Sequence, residues 1–257
     1  VTMLGFMRDN AEVGYYDVAV KIKVILVNVV TSLGAVLLPR TSYYVEMKMD
    51  KEFRAVSGKA LEFVTVLAIP LTVGFTIMAK QCILLLSGNA YLPSVVPMCI
   101  IMPTLILIGT SNVFGVQMLV PLGKETIVLY SECAGAVADI ILNAVFIPRY
   151  GASGAAFGTL VAEAVVLVVQ AAALKNMAWE IIKKVEVWKI LPAAALSGAA
   201  MIFIKNKVNM PVFPVLVICF SVFFGIYGIL LLGMKERILM ELLRTAAKRL
   251  KQKEREE

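Results

Sequence analysis

Seven long apolar runs, separated by short charged segments, dominate the pattern of hydrophobic and polar positions along this chain. A helix needs roughly 20 mainly apolar residues to cross about 30 Å of hydrocarbon, and most of the runs reach that length. The pattern predicts an all-α membrane protein, a polytopic helical bundle of about seven transmembrane helices. The predicted spans are residues 18–38, 61–79, 95–115, 127–147, 154–174, 190–204 and 214–233.

Composition excludes several classes of protein. Hydrophobic residues make up 60% of the chain and charged residues 17%, whereas a soluble domain has about 25% charged residues. The chain has no histidine, no CxxC pair, no phosphate-binding glycine loop and no nucleophile elbow, so we expect no enzyme, no metal site and no cofactor. The net charge of +7 lies in short loops and the tail, which argues against a nucleic-acid partner.

Loop charge predicts the orientation of the chain. If residues 1–17 lie outside, 18 of the 25 basic residues fall in the cytoplasmic loops and the tail, and five fall in the outer loops. Because cytoplasmic loops carry the excess of Lys and Arg, we expect a multi-pass protein of the cytoplasmic (inner) membrane with its N-terminus outside and its C-terminus cytoplasmic. We divide it into a transmembrane unit, 1–233, and a basic amphipathic cytoplasmic tail, 234–257. A second amphipathic segment, 176–188, is predicted to lie along the membrane surface.

Polar and ionisable side chains recur at helical spacing inside the spans. A charge in the middle of a bilayer is costly, so it usually faces a cavity or a partner. The candidate substrate or cavity residues are Lys21, Asn28 and Ser32 of the first span and Asp139, Asn143 and Glu163 of the fourth and fifth. The polar residues could instead serve only as contacts between helices. Lys23, on the other face of its span, is expected to snorkel to the headgroups, and Pro70 and Pro103 are expected to kink or loosen their helices.

Three stretches carry a resemblance to a known family. They are EVGYYDVAVKI at 12–22 with LLPR at 37–40, LSGNAY at 86–91, and IPRYGASGAAFGT at 147–159. In this order and spacing the motifs resemble the polysaccharide-exporter and oligosaccharide-flippase branch of the MOP (MATE-like) transporter superfamily, which includes O-antigen flippases. The resemblance covers essentially the whole chain, but only the C-terminal lobe of a two-lobed protein.

The resemblance implies a flippase that moves an undecaprenyl-pyrophosphate-linked oligosaccharide across the cytoplasmic membrane for cell-surface polysaccharide biosynthesis. Lys21 and Arg40 would suit the pyrophosphate. The implied partners are the lipid-linked glycan, membrane lipids and the N-terminal lobe of the same protein, with a polysaccharide polymerase as a further candidate. No cofactor is implied, and coupling to Na⁺ or H⁺ stays open.

Two other functions remain open on the sequence alone. A MATE-type multidrug exporter would exchange Na⁺ or H⁺ for cationic drugs, and Glu132, Asp139 and Glu163 would suit its anionic cavity. A membrane scaffold of a glycan assembly complex would transport nothing.

Overall fold

The computed structural model describes residues 1–207 and 210–241, and every regular element within those ranges is helical. The prediction of an all-α protein is therefore confirmed. The part of the predicted tail beyond Glu241 lies outside the described residues.

Ten α-helices lie within the described ranges. They are α1 (Thr2–Met7), α2 (Asn10–Glu46), α3 (Asp50–Ile77), α4 (Ala79–Ser87), α5 (Val95–Ile101), α6 (Thr104–Phe114), α7 (Glu125–Leu174), α8 (Asn176–Ile182), α9 (Val187–Lys207) and α10 (Val212–Gly233). A 3₁₀ helix, Asn89–Ser94, precedes α5, and a π-helix, Gly115–Leu119, follows α6.

Long apolar helices account for the predicted spans. Helices α3, α7, α9 and α10 are long and apolar enough to cross a membrane. Two bent pairs raise the number to six, because α2 bends by 42° between residues 32 and 36 and the segment 89–119 bends by 42° between α5 and α6. α7 contains the fourth and fifth predicted spans on either side of a break at Gly151. Counting α7 as two crossings would give the seven predicted spans, and that count stays a prediction.

The two prolines singled out in the sequence behave differently. Pro103 lies in the break between α5 and α6, where its missing N–H and its ring disfavour a continuous helix. α3 continues through Pro70 without a break. Pro103 therefore marks a bend between two helices, whereas Pro70 marks no helix end.

The core lies where α2, α3 and α6 cross, with α9 against the far side of α3 and α10 against α9. Gly109 of α6 allows a close approach of both other helices. A Cβ at Gly109 would lie 2.6 Å from a methyl group of Val64 on α3 and 2.7 Å from one of Val30 on α2. Small residues of this kind let membrane helices pack backbone to backbone.

The segment predicted to lie along the membrane surface contains the short helix α8 and both tryptophans of the chain. Trp179 and Trp188 are exposed, and Lys183 and Lys189 place their ammonium groups over these rings at 5.1 and 5.2 Å from the centroids. Aromatic and basic side chains of this kind favour a membrane interface. The surface location of the segment stays a prediction.

Three carboxyl groups converge where the helical core meets the start of the tail. Glu62 of α3, Glu186 before α9 and Glu236 after α10 bring carboxylate oxygens within 4.8 Å of one another. Lys189 and Arg237 both bind Glu186, at 2.6 and 3.4 Å. Glu236 accepts hydrogen bonds of 3.1 and 2.8 Å from the backbone N–H groups of residues 238 and 239. Oε1 of Glu62, by contrast, is buried and has no hydrogen-bond partner among the described residues.

We expect Glu62→Gln to raise the free energy of unfolding by about 1 kcal/mol. The substitution replaces one of three neighbouring carboxyl groups by an amide, which can donate a hydrogen bond to the other two. Thermal unfolding in detergent checks this, with Glu52→Gln, an exposed position on the same helix, as the matched control. A clear loss of stability in Glu62→Gln would contradict this and show that the carboxyl group stabilises the fold.

Candidate functional site

α7 is broken near its middle, and the break places two polar half-helices against each other. Gly151 has φ 53° and ψ −129°, a conformation that side chains with a Cβ rarely adopt. A Cβ at this position would also collide with the carboxylate of Glu12. Gly151, the first glycine of the IPRYGASG motif, is therefore required by the backbone conformation and by the close approach of α2.

Two charged side chains from the start of the chain bind the two ends of this break. Arg8 donates hydrogen bonds to the carbonyl oxygens of Ile147 and Pro148, at 3.3 and 2.5 Å, where the first half of α7 ends. Glu12 accepts a hydrogen bond of 2.6 Å from the backbone N–H of Ala152, where the second half begins. Each charge has the sign that the dipole of its helix end favours, so together they stabilise a break whose carbonyl and N–H groups would otherwise lack partners.

The face of α2 that carries Glu12 makes further contacts with α7. The hydroxyl groups of Tyr16 and Thr159 share a hydrogen bond of 2.8 Å. Lys23, about two turns further on, is half-buried and lies within electrostatic reach of Glu163 and Asp139. The prediction that Lys23 snorkels to the headgroups is therefore wrong: the phase of α2 turns its ammonium group toward the carboxylates of α7.

The two halves of α7 flank an open acidic cavity of about 240 Å³, in which Glu132 is exposed and Asp139 and Glu163 are half-buried. Its lining residues are Glu132, Gly135, Ala136, Asp139, Thr159, Ala162, Glu163 and Val166. Next to it, buried Asn143 donates a hydrogen bond of 2.8 Å to Oδ2 of Asp139. Oδ1 of each of these two residues is buried without a partner within the described part of the chain. The structure thus brings Asp139, Asn143 and Glu163 together, with oxygen atoms free to accept a proton or a small cation.

Lys21, Asn28 and Ser32 lie away from this cavity, on an exposed face of α2. Lys21 forms an ion pair of 2.7 Å with Asp17, and its side chain is 71% exposed. Ser32 donates a hydrogen bond of 2.8 Å to the carbonyl oxygen of Val29. The predicted site residues therefore form two groups, one inside the lobe and one on its surface. Arg40 is also exposed, and it donates a hydrogen bond of 2.9 Å to the hydroxyl of Tyr44.

Sequence reasoning missed Arg8, Glu12 and Tyr16, which follow one another at intervals of four residues. That spacing would have placed Glu12 and Tyr16 on one helical face, whereas Arg8 lies in the break between α1 and α2. Arg8 was counted only as a basic residue of the first outer loop, and Glu12 and Tyr16 were used only as part of the motif for the family resemblance.

We expect Gly151→Ala to lower stability and the yield of folded protein, since a positive φ costs a residue with a Cβ about 1–2 kcal/mol and the clash with Glu12 adds to that. Gly228→Ala is the matched control, because a Cβ there meets nothing within 4 Å and helix propensity favours alanine. Thermal unfolding of both variants in detergent checks the difference. Equal stability of the two would contradict the role given to the break.

An all-helical arrangement of long apolar helices, with polar groups along a broken helix, is the architecture of a multi-pass membrane protein. Residues 2–96 match the family model described as "Polysaccharide biosynthesis protein". Over these residues the chain is similar to polysaccharide biosynthesis proteins, which agrees with the resemblance that the sequence motifs indicated.

Two individual proteins show the extent of the similarity. The "Uncharacterized membrane protein MJ1068" of Methanocaldococcus jannaschii is 26% identical over 238 residues, which is 90% of this chain and 45% of that protein. The solved structure "Lipid II flippase MurJ, inward closed conformation" has the same fold, with a TM-score of 0.71 and 16% identity over 88% of this chain and 48% of that one. The chain therefore spans about half the length of the relatives that it matches.

Proposed function

We propose that this chain is the C-terminal lobe of a flippase that moves an undecaprenyl-pyrophosphate-linked oligosaccharide across the cytoplasmic membrane for cell-surface polysaccharide biosynthesis. The observation that carries the proposal is a polar stripe on the exposed face of α2, in a lobe that has the fold of a lipid II flippase. The family match to polysaccharide biosynthesis proteins supports a lipid-linked glycan as the cargo. These similarities also favour a transporter over an enzyme.

The polar stripe indicates where the substrate would bind. Lys21, Asn28 and Ser32 are exposed on the lobe, and exposure of such side chains to lipid is costly. Their face of α2 would instead line a hydrated cavity between this lobe and the N-terminal lobe of the same protein. Lys21 supplies a fixed positive charge for a pyrophosphate in that cavity, and the hydroxyl and amide groups suit sugars.

The acidic cavity inside the lobe suggests how transport is driven. Carboxylate and amide oxygens are the ligands that a hard cation prefers, and a carboxylate can also take a proton. We assign Asp139 and Asn143, with the hydroxyl of Thr159 nearby, to a coupling site for Na⁺ or H⁺. These groups lie between the halves of α7 and away from the exposed stripe, which supports an ion-coupling role over the binding of a cationic drug.

We expect Lys21→Ala to reduce glycan export about tenfold or more, because a hydrogen bond to a charged group is worth about 1.5–3 kcal/mol. Lys21→Arg should retain part of the activity, since the charge is kept. Complementation of a flippase-deficient strain by the full-length protein checks this, with Lys51→Ala, at an exposed position in the first turn of α3, as the control. Normal export by Lys21→Ala would remove this residue from the substrate site.

We expect Asp139→Asn to abolish ion-coupled export while expression and folding stay normal, because the amide can neither release a proton nor neutralise a cation. Export in proteoliposomes under imposed Na⁺ and pH gradients measures this. Glu125→Gln, an exposed position on the same helix, is the control. Gradient-driven export at the wild-type rate by Asp139→Asn would leave this carboxylate with a structural role only.

The proposed orientation has the N-terminus of this chain outside and its C-terminus cytoplasmic. We expect a membrane-impermeant thiol reagent added to intact cells to label Asn89→Cys and to spare Lys51→Cys, both at exposed positions. The exposed native cysteine, Cys133, is first replaced by alanine. The opposite labelling pattern would invert the orientation.

A further inference from the structure

A second polar cavity, of about 250 Å³, adjoins the first. The two cavities share Glu132 and Glu163, so a pair of carboxylates lies at their junction. The remaining lining residues of the second cavity are Ile108, Ser111, Asn112, Gly115, Val116, Val128 and Gln170. Glu132 lies about two turns from the first residue of α7 and Gln170 about one turn from the last. The second cavity is therefore nearer to the predicted cytoplasmic side than Asp139 is.

Gln170 places a fixed acceptor in this second cavity. The side chain is 2% exposed, and its amide nitrogen donates a hydrogen bond of 3.0 Å to the hydroxyl of Ser131. Its Oε1 is buried and has no hydrogen-bond partner in residues 1–207 and 210–241. Gly115 leaves just enough room for this amide, since a Cβ there would lie 3.0 Å from Nε2. A buried acceptor without a donor is unfavourable, and a bound cation would satisfy it.

Negative charges outnumber positive charges around the junction of the two cavities, which favours a bound cation. Glu163 lies within electrostatic reach of Glu132, Asp139 and the ammonium group of Lys23. Tyr16, on the neighbouring turns of α2, faces Asp139 and Glu163 as well. Among the described side chains, three carboxyl groups therefore share one lysine here; Glu132 is exposed, whereas Asp139 and Glu163 are half-buried, where an unpaired charge is costly.

The neighbouring backbone is also irregular at this point. Gly115 begins the π-helix that follows α6, and single π-helical turns within membrane and soluble helices occur frequently at functional sites. The wide turn lies directly against the free amide oxygen of Gln170.

We propose that Glu163, Glu132 and Gln170 form an inner binding site for a monovalent cation, Na⁺ or H⁺, next to the outer site at Asp139 and Asn143. The proposal rests on the coupling role given above to the outer site. The cation passes inside the lobe from Asp139 to Glu163 and Glu132 and leaves toward the predicted cytoplasmic end of α7. Lys23 compensates the carboxylates when no cation is bound.

Equilibrium cation binding to the purified full-length protein tests the inner site. One titration measures binding of radioactive Na⁺ at pH 8, and the other measures proton uptake in Na⁺-free, weakly buffered solution. We expect Glu132→Gln to lose one bound cation in one of the two titrations, and Gln170→Leu to weaken that site about tenfold, as for removal of one ligand to a charged group. Asp139→Asn should lose the outer site only, and Glu125→Gln should match the wild type.

Glu132→Asp, which keeps the carboxylate, should retain the inner site, so that a general loss of folding is distinguished from loss of a ligand. Wild-type titrations from both Glu132→Gln and Gln170→Leu would overturn the proposal, and gradient-driven glycan export would then still support the proposed function. Export that is independent of Na⁺ and pH gradients, together with loss of a cation in Glu132→Gln, would instead overturn the coupling role and leave the inner site standing.

Discussion

The packing of one polar face of α2 against the broken helix α7 is the contact on which the interior of this lobe depends. A helix end buried in a membrane protein needs partners for its free carbonyl and N–H groups. Glu12 of α2 and Arg8, which lies in the break between α1 and α2, provide them at the break around Gly151. Further along the same face, Tyr16 and Lys23 meet polar and acidic groups of α7. These contacts keep the halves of α7 at the distance that leaves two small polar cavities between them and α6.

This arrangement separates two kinds of chemistry within one lobe. The amides of Asn143 and Gln170 are buried along α7, and the carboxylates of Asp139, Glu163 and Glu132 line the two open cavities beside them. Lys21 and its polar neighbours lie on the opposite, exposed face of α2. Because both groups belong to or contact α2, movement of that helix on cation binding would reach the substrate face directly. That connection gives the proposed flippase a physical route between ion binding and glycan movement, through a single helix.

The sequence predicts much of this fold because the membrane imposes a simple rule on helix length and polarity. The apolar runs locate the helices, and the helical period brings Asp139 and Asn143 to one face, as the structure shows. Periodicity cannot tell which face of α2 meets α7, so Lys23 was given the wrong surroundings. The break at Gly151 depends on a positive φ and on capping groups about 140 residues away in the chain. The convergence of Glu62, Glu186 and Glu236 likewise depends on tertiary contacts that no local pattern encodes.

The central claim is that the full-length protein moves a pyrophosphate-linked glycan lipid across a bilayer. The most direct test is to reconstitute that protein in proteoliposomes with a fluorescent polyprenyl-pyrophosphate oligosaccharide. An impermeant quencher then measures how fast the labelled headgroup moves from one leaflet to the other. A cationic dye in the same vesicles serves as the competing substrate. The account predicts protein-dependent flipping of the glycan lipid and no transport of the dye. Glycan flipping at the rate of protein-free vesicles, with transport of the dye, would contradict it.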